Sequence, residues 1–156
     1  MDVVDGVTPR EVDESSRVVV CNLEGARHDA NAVEVARQLA VVARARLALV
    51  AVAAVQVPGA FDVPPTWTPE QARAALELTA ATVDGAVDVD CYLEIGNPVR
   101  RLTEFARDTR ALLLVVGTST DAADRPASLS ARGVARSAPC PVVVVPESAA
   151  VPALVA

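Results

Sequence analysis

Apolar residues fall along this chain in alternating short runs and long stripes. Arg17-Val18-Val19-Val20-Cys21-Asn22-Leu23 is a β-branched run that predicts a first strand, apolar on both faces. Asp29 stands as an N-cap before Ala30, and Ala32, Val35, Ala36, Leu39, Val42 and Ala43 recur at helical spacing, predicting a first helix. Leu47 to Val55 predicts a second strand, and the proline-rich stretch from Gln56 to Trp67 a loop. Thr68-Pro69-Glu70-Gln71 is a capping box with proline at the first helical position, opening a second helix whose inward stripe is Ala72, Ala75, Leu76, Thr79 and Val83. From Val87 to Ile95 the pattern alternates strictly, which predicts an edge strand with Asp88, Asp90, Tyr92 and Glu94 on a wet face.

Asn97-Pro98 caps and opens a third helix, with Val99, Leu102, Phe105 and Ala106 inward. Leu112 to Val116 predicts a fourth strand ending at Gly117. A helix from Ser128 to Ser137 is the weakest signal, because Gly133 inside it costs about 1 kcal/mol against Ala. Val142 to Val145 predicts a fifth strand, stopped by Pro146. Strands alternating with helices imply one α/β domain with a parallel sheet, right-handed crossovers and helices on both faces. It spans residues 17–146, between a flexible acidic arm (1–16) and a tail (147–156) without period.

Composition narrows the function. Of 156 residues, 14 are basic, all Arg, and 20 acidic, so the net charge is −6; the arm alone contributes −4. A body so close to neutral argues against nucleic acid and membrane surfaces as partners. No run is long enough to span a bilayer, and the N-terminus lacks the order of a signal peptide, so the cytoplasm is the expected location. Cys21, Cys91 and Cys140 are isolated, and His28 has no ligand partner at metal spacing, so neither disulfides nor a metal site is expected. No nucleophile, base and orienter can be assembled, so the chain is expected not to be an enzyme. Cys140 between two prolines, and Arg100, Arg101 and Arg107 on the third helix, are expected to be filler and solvated face. Trp67 is expected either exposed or packed under the long loop, with a lid over the crevice beyond the strand ends as a further alternative.

Three stretches resemble the universal stress protein family: Glu24 to Ala32 after the first strand, Gly96-Asn97-Pro98 through Gly117, and Ala138 to Pro146. The resemblance implies a five-stranded parallel sheet of order 3-2-1-4-5, an adenine nucleotide alpha-hydrolase-like or Rossmann-like fold. It also implies a homodimer through the fifth strand, and Val142, Val143, Val144 and Val145 support this on physical grounds, since a bare valine edge is an aggregation template. ATP-binding members carry Gly-x-x-Gly, nine residues, then Gly-Ser or Gly-Thr, which lets backbone amides cradle phosphates. Here Gly117 holds the first position, Thr120 the second and Ser128 the third, with Leu129 beside it, and the loop is two residues shorter. Asp121 and Asp124 add like charge, each repulsion on the order of 3 kcal/mol at about 5 Å before screening. The family's aspartate after the first strand is Glu24. The expectation is a regulatory or binding module that does not take ATP, with or without Mg²⁺, in the family's usual mode; the alternative is an adenine-nucleotide binder. If a small ligand binds, the candidate residues are Glu24, Val52, Gly117, Thr118, Thr120, Ser128 and Ser130, Val52 matching the position that packs on adenine in binders.

Overall fold

The computed structural model describes residues 3–5, 16–25, 29–53, 67–83, 85–118 and 125–153. Ten elements follow one another: β1 (Val3–Asp5), β2 (Val18–Leu23), α1 (Asp29–Ala43), β3 (Arg46–Ala53), α2 (Pro69–Thr82), β4 (Val89–Ile95), α3 (Pro98–Asp108), β5 (Leu113–Thr118), α4 (Arg125–Ser137) and β6 (Val142–Pro146). The strands form one parallel sheet of order β1-β4-β3-β2-β5-β6. Without β1 this is the expected 3-2-1-4-5.

Strand alternation sorts the side chains into two cores. Val19, Cys21, Leu23, Leu47, Leu49 and Val115 meet α1 and α2 on one face. Val18, Val20, Val50, Val52, Leu114 and Val116 meet α3 and α4 on the other. Every residue of β2 is buried, as a central strand covered twice must be. The capping box at Thr68 forms as expected, Gln71 N donating to Thr68 Oγ1 and Thr68 N to Gln71 Oε1. Asn97 caps α3 by accepting from Arg100 N. No helix among the described residues is long and apolar enough to cross a membrane.

Several expectations are corrected. Within the segment expected to be a loose arm, Val3–Asp5 pairs with β4 as a sixth strand. The third predicted strand is therefore not an edge, and its second face is wet only at Asp88, which is exposed as expected. Tyr92 packs edge-on against Phe105 with centroids 4.8 Å apart, Asp90 is clamped by Arg46 at 2.9 Å, and Glu94 is buried under α3. The inward face of α1 is Ala32, Val33, Ala36 and Ala40, while Val42 is exposed. The tail is tied down as far as it is described: Asn31 Nδ2 donates to the carbonyls of Glu147 and Ala149, and Gln38 Nε2 to that of Pro152. This explains why polar Gln38 is buried on α1. The fourth helix starts three residues before Ser128.

Gly133 has a packing reason that its helix propensity hides. A Cβ there would lie 2.8 Å from Val99 Cγ2, so the glycine lets α4 approach α3. Val99 is β-branched and cannot swing away cheaply. Gly133→Ala gains about 1 kcal/mol of helix propensity but overpacks the contact at a cost of about 1–3 kcal/mol. The variant is expected to melt lower than the wild type, and Val99→Ala in the same chain is expected to restore the loss; calorimetry of the two variants checks this.

Candidate functional site

In an open parallel sheet, ligands meet the chain beyond the C-terminal ends of the strands, where strand order reverses. Here that point lies at β2, whose neighbours β3 and β5 lead away in opposite directions. Glu24 follows β2 directly. The register Leu23↔Ala51 sets it level with Val52, and Val52 pairs in turn with Glu94. Gly117 and Thr118 end β5, paired with Val145 and Pro146 of β6. Of the candidate residues, Glu24, Val52, Gly117 and Thr118 therefore share one rim. Ser128 and Ser130 are the fourth and sixth residues of α4. Thr120 lies outside the described residues, as do His28, Asp121 and Asp124.

Asn22 is 2% exposed, and its amide holds the Glu24 carboxylate, Nδ2 to Oε1 at 3.3 Å. After Glu24 the chain turns through Gly25 at φ +75°, a left-handed conformation that favours glycine. The backbone amides at this turn point to one acceptor. The Asp29 carboxylate takes the Glu24 amide at 3.1 Å and the Gly25 amide at 2.8 Å. Asp29 was expected as the N-cap of α1; it is the first helical residue, and its carboxylate reaches back to the turn. An internal carboxylate thus occupies donors of the kind that cradle an anion.

Trp67 closes the same rim from above. Its indole Nε1 donates to the Val52 carbonyl at 3.2 Å, so the ring lies over the ends of β2 and β3. A Cβ on Gly25 would come within 2.8 Å of Trp67 Cε3. Gly25 therefore serves twice, once for its φ and once as the flat seat of the ring. Trp67 is partly buried against the α1/α2 core, while the long loop it was expected to pack under lies outside the described residues.

Two residues at this rim escaped sequence reasoning. Asp29 looked like a simple cap, and only the fold brings its carboxylate to the turn. Glu94 looked solvated because it alternates with apolar residues, yet it is 4% exposed. Burial pushes its carboxyl above the usual range; Arg101 pulls the other way, and Glu104 and Asp108 add to the rise. Burial raises the Cys21 and Cys140 thiols and pushes that of Cys91 up to about 11, which disfavours the thiolate at each. Among the described residues no group of three or more His, Cys, Asp or Glu is placed to hold a metal ion.

A family model described as the Universal stress protein family matches residues 16–146. No curated protein matches the chain. Among solved structures, a universal stress protein in complex with cAMP is similar at 24% identity and a TM-score of 0.66, over 85% of this chain and 98% of that one. A universal stress protein family member from Burkholderia pseudomallei is similar at 26% identity and TM-score 0.63, over 85% and 98%. A universal stress protein from Archaeoglobus fulgidus in complex with dAMP is similar at 18% identity and TM-score 0.63, over 83% and 97%.

Gly25→Ala tests the seat of the indole. The left-handed backbone and the blocked ring together are expected to cost roughly 1–3 kcal/mol and to loosen Trp67. Trp67 is the only tryptophan of the chain, so its emission should shift to the red in this variant while the far-ultraviolet circular dichroism stays as in the wild type.

Proposed function

Because the chain belongs to the universal stress protein family, its model matching residues 16–146, we propose that it is a non-enzymatic regulatory or binding module of that family, one that does not take ATP in the family's usual mode. The observation that carries this reading is the self-occupation of the crevice. The indole N–H of Trp67 uses the Val52 carbonyl, and the Asp29 carboxylate uses the Glu24 and Gly25 amides. A nucleotide would have to displace a hydrogen-bonded ring and bring its phosphates towards fixed carboxylates. The sequence adds to this: of the three motif glycines only Gly117 remains, and the loop behind it is shorter and carries Asp121 and Asp124.

A second reading has its own support. Two similar structures hold cAMP and dAMP, each with a single phosphate. A monophosphate needs less of a cradle than a triphosphate, so an adenosine monophosphate is the nucleotide to test beside ATP. Titration of the protein with ATP and Mg²⁺, AMP and cAMP, followed by calorimetry and Trp67 emission, separates the readings. No ATP binding tighter than about 100 μM, roughly −5.5 kcal/mol, is expected. Adenine nucleotide released from the purified protein on denaturation would overturn the first reading in favour of the second.

The chain is also proposed to work as a cytoplasmic homodimer through β6. Among the described residues that strand pairs only with β5, and Val144 is 43% exposed on it. A second copy pairing across the two-fold axis would cover the valines. Val144→Arg is expected to turn the dimer into a monomer in light scattering; a variant that stays dimeric would place the seam elsewhere.

A further inference from the structure

Glu94 is a buried carboxylate that takes no side-chain hydrogen bond among the described residues. It is the last residue but one of β4 and 4% exposed. Two residues beyond Tyr92, it lies on the α3 face of the sheet by strand alternation. Arg101, whose charge acts on it, directs its hydrogen bonds elsewhere: its Nε donates to the Ile95 carbonyl at 2.9 Å and its Nη1 meets Glu104 at 3.4 Å. A carboxyl buried without a partner is costly, and proteins retain such groups where they are used. Glu94 pairs in register with Val52, at the rim where this fold receives ligands. On the other side of Val52, level with it, stands Glu24, so the two carboxylates flank one apolar residue at roughly two strand spacings, about 10 Å between backbones.

We propose that Glu94 and Glu24 form a subsite for a small organic cation, a primary ammonium carried on a short apolar body. This rests on the reading that the crevice takes a ligand other than ATP, and it names the chemical class of that ligand. An ammonium brings three N–H donors and a positive charge, which are what an unpartnered carboxylate lacks. Val52 between the two acids offers the apolar body a surface on the α3 face, and the Trp67 indole, packed on the other face, holds the Val52 carbonyl and so reports on this strand end. A phosphate at the same place would meet two like charges. A diamine of four or five carbons has the length to reach from one carboxylate towards the other.

The probes are diaminopentane and, as a neutral body of the same shape, the matching pentanediol. Both are titrated into the full chain and followed by Trp67 emission and melting temperature. The diamine is expected to change the emission and raise the melting temperature, and the diol to do neither. Glu94→Gln is expected to weaken the diamine at least about tenfold, and Glu24→Gln to weaken it less. Without any ligand, Glu94→Gln is expected to melt about 3 °C higher than the wild type, since it removes an uncompensated buried charge. Equal effects of diamine and diol, no diamine effect up to about 100 mM, wild-type diamine affinity in Glu94→Gln, or a lower melting temperature in that variant would each overturn the proposal. ATP in parallel keeps the two readings apart. If neither diamine nor ATP binds, only the ammonium subsite falls; if ATP binds tightly, the parent reading falls.

Discussion

Three central strands with no polar face set the terms for everything else in this molecule. β2, β3 and β5 are apolar on both sides, so neither side can face water, and helices must cover both. Parallel strands then need a helix in each crossover, and each crossover returns the chain to the same end of the sheet. All the strand C-termini therefore open on one rim. Whatever the chain recognises, that rim is where backbone groups and loop side chains are free to meet it.

What distinguishes this rim is that the chain uses much of it internally. The Trp67 indole takes a carbonyl at the end of β3, and Asp29 takes two amides beyond β2. Gly25 makes both contacts sterically feasible. Family membership gives the architecture, but function lives in the site, and the site here is built from contacts that sequence motifs of the family do not describe. Glu94, buried with no side-chain hydrogen bond among the described residues, is acidic, which points away from anions.

The same economy of small residues appears in the packing. Gly133 looks like a flaw in α4 until Val99 is seen against it. Gln38 looks misplaced on a buried helix face until the tail carbonyl of Pro152 is found at its amide. In both cases a locally unfavourable residue is explained by a neighbour distant in sequence.

Patterns that depend only on near neighbours were readable from the chain. The capping box at Thr68, the cap at Asn97, the five strands from 17 to 146 and their α/β order follow from periodicity and local hydrogen bonding, and the resemblance supplied the strand order. It was also the resemblance that put Glu24, Val52, Gly117 and Thr118 at the strand ends. What required the tertiary structure was every contact set by long-range pairing. A three-residue strand such as Val3–Asp5 has no period of its own and exists only because β4 offers an open edge. That pairing and the cover of α3 half-bury Tyr92 and bury Glu94, which alternation alone assigns to water. The helix faces of α1, the seat of Trp67 and the reach of Asp29 were decided the same way. Alternation tells which side chains share a face of a strand; only packing tells whether that face is wet.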